Sequence, residues 1–370
     1  MSVENKIDEW LLRELFYAYL DARKNKRSTS DEHNFELNYM ENLMTLRDDI
    51  MNHRYKPGRG IAFITYDPVM REIFAAPFRD RVVHHFIYNQ VAEWWDRHFI
   101  YDSYSCRKDK GTFFAIDRLR HHVNSVSRHG TKEAYVIKLD IQGYFMSLQR
   151  KAIFERACWG LDQQFKGEAL EWKRNLIKYL WREIIFDDPT AEVRRRGSVH
   201  EWDGLPDNKS LFCQPPGQGI VIGNLSSQLL SNIYLDLLDR YVTIELGYKH
   251  YGRYVDDFYI VVSGEEYKKA LEDLKKIDEF LKRIGLTLHP KKRYIQEVKK
   301  GVPFMGVVVY PNSIVPGKRL KRNFYKGLYK FGIGYNSVES ITSHLGHMKH
   351  MNSKKFTKKM FDKFGNEYRF

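Results

Sequence analysis

Two adjacent aspartates, Asp256 and Asp257, interrupt an otherwise apolar stretch, GRYVDDFYIVVSG, between Gly252 and Gly264. No other stretch restricts the fold as much. Tyr254 and Val255 precede the pair, and Phe258, Tyr259, Ile260, Val261 and Val262 follow it, so the segment predicts strand, two-carboxylate turn, strand. Aspartate is an ordinary turn residue. Two carboxylates side by side nevertheless repel one another, and apolar surroundings raise the cost of charging both. Either the turn is an ordinary one that happens to hold two aspartates, or positive charge gathered there neutralises them.

A second strand with an acidic end favours the latter. AYVIKLDI (134–141) reads as an apolar strand with Asp140 near its end. From residue 134 the predicted order is strand, helix, strand, strand, helix, strand, which is the split βαβ arrangement. In such a sheet the strand ending at Asp140 lies next to the hairpin, and Asp140, Asp256 and Asp257 converge at one edge. Helical periodicity is expected at 7–24 and 36–53, over FRDRVVHHFIYNQVAEWWDRHF, and across 149–183. It recurs over NLSSQLLSNIYLDLLDRYVTIEL, with Asn224 or Ser226 as N-cap, and over EEYKKALEDLKKIDEFLKRIG, which Gly285 ends. IAFITYD, LTLHPKKRYIQEV and VPFMGVVVY read as strands and YKPGRG (55–60) as a turn. The stretch DDPTAEVRRRGSVHEWDGLPDNKSLFCQPPGQG is rich in turn formers and reads as a long loop or hairpin, a type of segment that tends to carry function.

Charge narrows the class of partner. The chain of 370 residues carries a formal net charge of +14, with 43% hydrophobic and 15% aromatic residues, enough for a sizeable core. Thirteen Lys and Arg stand against three Asp and Glu between 312 and 370, where KRNFYKGLYKF and KKFTKKMFDKF interleave lysine with aromatic rings. A solvated helical face is the plain reading; cations that follow phosphates beside rings that stack on bases account for both residue types together. The excess favours a polyanion, nucleic acid or an anionic membrane. No run approaches the roughly 18 apolar residues of a membrane span, and MSVENKIDEW has no apolar signal core. Cys106, Cys158 and Cys213 form no CxxC pair and no zinc spacing. The expectation is a cytoplasmic, nucleic-acid-binding protein with no membrane association.

Three carboxylates gathered in a small volume suit Mg²⁺, which takes one or two carboxylates together with waters and substrate phosphates. Two such ions about 3.5–4 Å apart stabilise the attacking and leaving oxygens of an in-line phosphoryl displacement. At this point the sequence resembles a known family. YVDD in its strand–turn–strand, paired with KLDIQGYFMSL, resembles the palm of a reverse transcriptase. REIFAAPFRDRVVHHFIYN, FIYDSYSCRKDKGTFFAI, GIVIGNLSSQLLSNIYLDLLD, LTLHPKKR and VPFMGVVV are similar to the ordered blocks of bacterial reverse transcriptases, over residues of roughly 60 to 310. Most of those relatives carry QGxxxSP before the long palm helix. Here Ile222 takes the Gln place and Gln228 the Pro place, and with the upstream LPDNKSLF this resembles the enzymes of diversity-generating retroelements. The resemblance implies an α+β right-hand polymerase: fingers with an N-terminal extension (1–133), palm (134–311, with an insertion at about 150–220) and a basic helical thumb (312–370). The palm would be an antiparallel sheet with helices on one face.

The resemblance also implies roles. Asp140, Asp256 and Asp257, with the carbonyl of Ile141, would bind two Mg²⁺ ions, or Mn²⁺ in their place. Lys292 would protonate the pyrophosphate leaving group, with Lys291 as a rival. Arg71 would grip the triphosphate of the incoming dNTP, a task suited to a planar, permanently charged guanidinium. Intron-encoded relatives carry a lysine about six residues earlier, where this chain has Thr65. Arg107, Lys108 and Lys110 could substitute for it or touch the template. Phe145 falls at the steric gate against a ribose 2′-OH. Ile222, Gly223 and Gln228 would lie by the nucleotide, and Ile222 lacks the polar contact a glutamine makes there, a physical route to low fidelity. Tyr254, the turn at Gly306, and Lys318, Arg319, Lys321 and Arg322 would hold primer and template. The implied partners are a template-repeat RNA, its RNA–DNA duplex, dNTPs and a small, basic, oligomeric accessory protein; the product is cDNA with errors at template adenines. The rivals are an intron or retron reverse transcriptase, a phage-defence relative that makes DNA without a template, and a non-enzymatic RNA-binding scaffold.

Overall fold

The computed structural model describes residues 3–24, 29–66, 69–332 and 338–368, with side chains from residue 5 to residue 364. In chain order the elements are α1 (Val3–Ala22), α2 (Ser30–Leu37), α3 (Tyr39–Met51), β1 (Ile61–Thr65), β2 (Arg71–Ala75), α4 (Phe78–His98) and α5 (Thr112–Ser127). Then come β3 (Ala134–Asp140), α6 (Tyr144–Ser147), α7 (Arg150–Gln164), α8 (Glu171–Phe186), β4 (Arg194–Arg195), α9 (Leu225–Arg240), β5 (Tyr251–Tyr254), β6 (Asp257–Ser263) and α10 (Tyr267–Arg283). The last third adds β7 (Tyr294–Glu297), β8 (Val302–Phe304), β9 (Val307–Tyr310), β10 (Ser313–Pro316), α11 (Lys318–Gly332), α12 (Val338–Met348) and α13 (Lys354–Tyr368). Contacts gather these elements into two units, each assembled from several stretches of chain.

One unit comprises the chain up to Ile100, Gln142–Leu238 and Leu281–Thr287. Helix α1 packs on α3 and α4, and α7 packs on α4 and α8. Trp95, Trp181, Phe78 and Phe86 are fully buried. A small sheet, in the order β2-β1-β4, pairs Ile61 with Ala75 antiparallel and with Arg194 in parallel.

The second unit comprises Tyr101–Ile141, Asp239–Phe280 and the chain from Leu288 on. Its four-stranded sheet runs β5-β6-β3-β7 with every pair antiparallel, which is the expected split βαβ order. The apolar sequence of β6 fits the centre of that sheet: Phe258, Tyr259, Ile260, Val261 and Val262 are all buried, each burial stabilising by roughly 1.5–3 kcal/mol. On one face Tyr259 and Val261, with Ala134 and Val136 of β3, meet Ala115, Ile116, Leu119 and Val123 of α5. A second sheet, β10-β9-β8, continues that core through Val302, Val307, Val309 and Ile314. Helices α11 to α13 share a cluster of Phe324, Leu328, Ile341, Met348 and Phe364.

Several local expectations change. The stretch 149–183 is two helices, α7 and α8, separated by Gly167 at φ +89°. Ser226 does not cap α9; it lies in the first turn, its hydroxyl 2.8 Å from Nδ1 of a buried His84. The strand expected over LTLHPKKRYIQEV shrinks to β7, because residues 289–292 turn, the Lys292 N–H donating to the His289 carbonyl. VPFMGVVVY divides into β8 and β9 at Met305 and Gly306, both at positive φ, and β10 extends that sheet to Pro316. The long loop is a run of 3-10 turns with the two-residue β4. No helix among the described residues is long and apolar enough to cross a membrane.

Candidate active site

Backbone register assembles the carboxylates. The β3–β6 pairing sets Asp140 opposite Asp257, and the β5–β6 pairing sets Tyr254 opposite Asp257. Opposed residues on an antiparallel ladder carry Cβ atoms about 4.5–5.5 Å apart. Val255 and Asp256 are therefore the whole loop of a two-residue hairpin. The Ile141 N–H donates to the Asp256 carbonyl at 3.3 Å, which ties the end of β3 to that loop. The His289 N–H donates to the Asp140 carbonyl at 2.8 Å. All three aspartates thus meet at one end of the sheet.

Their electrostatics are unbalanced. Burial first, then the neighbouring Asp140, push the Asp256 carboxyl up to about 6. Burial also raises Asp257, against the pull of Lys138, whose Nζ lies 3.1 Å from Oδ2. The other Asp257 oxygen, Oδ1, is buried with no hydrogen-bond partner. Lys292 Nζ lies 3.1 and 3.0 Å from the two Asp140 oxygens. The ammonium expected at a leaving group therefore rests on a carboxylate, although Lys292, like Lys291, is exposed. This is an oxygen donor set short of positive charge. Among the described residues no group of three or more His, Cys, Asp or Glu side chains is arranged to hold a metal ion by itself. Magnesium seldom relies on such a group alone, preferring a carboxylate or two with waters and phosphates, and the unpartnered Asp257 oxygen fits that partial donor role.

Other predicted residues gather in the first unit. Phe145 and Ile222 pack against a cluster of Ala62, Phe74, Met146 and Leu211. The Phe74 N–H donates to the Ile222 carbonyl at 3.0 Å. Gly223, at φ +132°, is required there, since a Cβ would stand 2.6 Å from the Phe74 carbonyl oxygen. Strand β2, which begins at the exposed Arg71, is thereby fastened to the Ile222–Gly223 segment. Gln228 is exposed on the first turn of α9.

The remaining predicted residues belong to the second unit. Arg107 donates to the Ser103 carbonyl at 3.0 Å. The Lys110 ammonium donates to the Tyr101 carbonyl and lies 4.5 Å from the Tyr101 ring centre and 5.5 Å from that of Phe114. Both cations are thus engaged by the loop that carries them. The Tyr254 hydroxyl is 3.3 Å from that of Thr112. Gly306 lies in the β8–β9 turn at φ +85°. On α11, Lys318, Arg319 and Arg322 are exposed, whereas Lys321 is half-buried, 5.6 Å from the Phe356 ring centre.

Glu72 escaped the sequence reading. It is fully buried beside Arg71 and accepts from Trp202 Nε1 (2.8 Å), Ser210 Oγ (2.8 Å) and the Leu211 N–H (2.6 Å), anchoring the long loop. An acid inside the apolar run EIFAA was the available signal. A second missed group is Asp102, which takes two hydrogen bonds from Arg118, at 2.6 and 2.9 Å, with His122 Nε2 3.3 Å away.

Residues 69–309 match the family model for "Reverse transcriptase (RNA-dependent DNA polymerase)". No curated protein matches the chain. Among solved structures it is similar to apo telomerase from Candida tropicalis truncated from its C-terminal domain, at 13% identity over 70% of this chain and 56% of that one, with a TM-score of 0.50. Telomerase from Candida albicans in complex with a fragment of telomeric RNA is 12% identical over 89% of this chain and 60% of that one, with a TM-score of 0.48. The chain spans less than two thirds of the length of these telomerase chains.

Proposed function

The chain belongs to the reverse transcriptase family, the family of RNA-dependent DNA polymerases, and from that premise we propose that it copies RNA into DNA for a diversity-generating retroelement. The observation that carries the polymerase reading is the register of Asp140 against Asp257, with Asp256 beside them and one buried oxygen unsatisfied. In this reading the 3′-oxygen of a primer attacks the α-phosphorus of a dNTP, the bond to the bridging oxygen breaks, and pyrophosphate leaves. Asp140, Asp256 and Asp257 would hold divalent ions. Bound there, magnesium supplies Lewis-acid stabilisation of the attacking and leaving oxygens. Lys292 would carry a proton to the pyrophosphate, Arg71 would bind the triphosphate and the Phe145 ring would exclude a ribose 2′-OH. The exposed cations of α11 would follow the backbone of an RNA–DNA duplex without reading its sequence. Fingers, palm and thumb would correspond to 1–133, 134–311 and 312–370.

The finer assignment rests on Ile222. At the position where bacterial relatives carry glutamine, this chain presents a half-buried aliphatic side chain packed in the cluster of Phe74, Met146 and Leu211. It offers the nucleotide no hydrogen bond, and a site with fewer contacts that differ between right and wrong pairs discriminates less. The first fifty residues carry eleven Asp and Glu against seven Lys and Arg, a local acidity that suits a basic accessory protein.

The test is primer extension on a heteropolymeric RNA with Mg²⁺ and dNTPs, with and without such a protein, followed by sequencing. Template-directed cDNA with errors concentrated opposite adenine, moved toward fidelity by Ile222→Gln, is the expected result. Faithful cDNA would sink the retroelement assignment and keep the polymerase. A product unrelated to the template would point to untemplated synthesis, and no product under any condition would leave an RNA-binding scaffold.

A further inference from the structure

The hairpin that carries Asp256 and Asp257 has the wrong residue at its apex. A two-residue hairpin loop needs positive φ at its first position, and glycine is the usual occupant. Val255 stands there instead, at φ +56°. For a β-branched residue this conformation is a true outlier. Such strain persists only where the surroundings over-determine it.

The surroundings that do so are a buried ion pair. Arg253 is 1% exposed and Asp239, at the end of α9, is 0% exposed. The guanidinium grips Asp239 with both edges of a fork, Nε to Oδ1 and Nη2 to Oδ2, each at 2.7 Å. Its remaining nitrogen, Nη1, donates to the carbonyl of Val255 at 2.9 Å. Everything around the fork is fixed in turn. Nη2 also donates to Ser103 Oγ at 3.3 Å, and the Tyr251 hydroxyl donates to Asp239 Oδ1 at 2.6 Å. The backbone of Arg253 is held by the 102–104 segment, its N–H donating to Asp102 and its carbonyl accepting from Tyr104.

We propose that Arg253 and Asp239 are positioning residues, a clamp that fixes the Val255 carbonyl and so holds the hairpin loop, and with it Asp256 and Asp257, in one strained conformation. Neither touches substrate. The proposal depends on the polymerase reading only for the purpose of the loop. Its logic is preorganisation: the strain at Val255 and the repulsion between the two carboxylates both favour a rearranged loop, and the lock from behind leaves one arrangement. Only a planar, forked cation can bind a carboxylate bidentately and still present a donor to a carbonyl at a fixed angle; a lysine is a point charge on a flexible stem.

The test uses the full chain, two clamp variants and each of these with a third substitution added. Arg253→Lys keeps the charge and removes the fork. Arg253→Met combined with Asp239→Asn removes both buried charges together, which such sites tolerate, and leaves Tyr251 an acceptor. Adding Val255→Gly to either variant removes the steric demand on the loop. The readouts are amide hydrogen exchange of residues 254–258, Mn²⁺ affinity by electron paramagnetic resonance, and kcat against KM in primer extension. The clamp predicts exchange of the loop amides faster by about tenfold or more in both clamp variants, with sheet amides of β3 and β6 little changed. Mn²⁺ affinity and kcat should fall together while KM for the duplex holds, and Val255→Gly should recover part of each loss. Loop exchange unchanged in a folded clamp variant overturns the proposal, as does Val255→Gly failing to recover anything. Exchange and Mn²⁺ binding that follow the clamp pattern, in a chain that makes no DNA, would sink the polymerase reading and keep the clamp.

Discussion

Asp102 and Asp257 are inward-facing carboxylates of the same unit, and they are partnered in opposite ways. Asp102 takes two hydrogen bonds from Arg118 and has His122 beside it; despite its burial, His122 and Arg118 hold its carboxyl well below the usual range. Asp257 is raised by burial, is met on one oxygen by Lys138, and has nothing on the other. The same contrast recurs around each. Asp239 has both oxygens on Arg253, and Glu72, in the first unit, satisfies three donors. Asp256 is pushed up to about 6 by burial and by Asp140. Where carboxylates hold the fold together, their demand for hydrogen-bond donors, charged or neutral, is met by the chain. At the hairpin it is left open, which makes that place unfavourable for the chain alone and favourable for an added cation.

Removing one carboxylate at the hairpin should have the largest effect, and on activity alone. Asp257→Asn is expected to cut DNA synthesis about 10³-fold, the scale of losing one preorganised electrostatic group. Thermal stability should hold or rise, because one of three clustered like charges is gone. Primer extension and thermal melting on the same preparation check both halves. A substantial fall in Tm would break the contrast with Asp102.

Glu72→Ala is the converse experiment. Its three buried donors would lose their acceptor at once, a destabilisation of roughly 3 kcal/mol. The segment 199–213 should become the first site of limited proteolysis, and Glu72→Gln should recover part of the protection. Asp102→Asn should cost less, about 1–3 kcal/mol, since one oxygen remains to accept from Arg118. The pH dependence has a definite sign. The folded carboxyl titrates below its unfolded value of about 3.9, so its stabilisation is fully present above that value and is lost as pH falls through the folded one. Urea melts between about pH 5 and 2 should show the wild type losing stability toward acid, with a flatter acid limb in Asp102→Asn.

These networks also mark where sequence reading succeeds and stops. The hairpin, the neighbouring Asp140 strand and the split βαβ order were legible, because period-two alternation and a two-residue turn are local signals and register follows from them. Helix α10 was legible to its end, Gly285 lying at φ +73° two residues beyond it. The Asp102–Arg118 pair bridges sixteen positions and Glu72 reaches across about 130, and no local pattern announces such partners. The strand expected from 286 onward failed because a His-Pro turn outweighed its alternating residues. The contact of Lys292 with Asp140 was not legible, since a lysine's reach is decided by the turn that launches it. Nothing local in the sequence sets Arg253 apart; only the fold shows it at 1% exposure with its fork filled.

The smallest expected effect is the most direct probe of the open charge at the hairpin. Lys138 spans β3 to reach Asp257 Oδ2 at 3.1 Å, and it also donates to the Pro303 carbonyl at 3.3 Å, its ammonium 5.7 Å from the Phe304 ring centre. If the ammonium only supplies the positive charge that the carboxylate lacks, it competes with any divalent ion arriving there. Lys138→Met keeps the apolar stem against Phe304 and removes the competitor. The metal concentration giving half-maximal synthesis should then fall about threefold, in keeping with the modest energy of a partly exposed ion pair. A rise instead would mean that Lys138 shapes the carboxylate and does not merely balance it, and Asp257 would then belong with Asp102, among the carboxylates the chain itself completes.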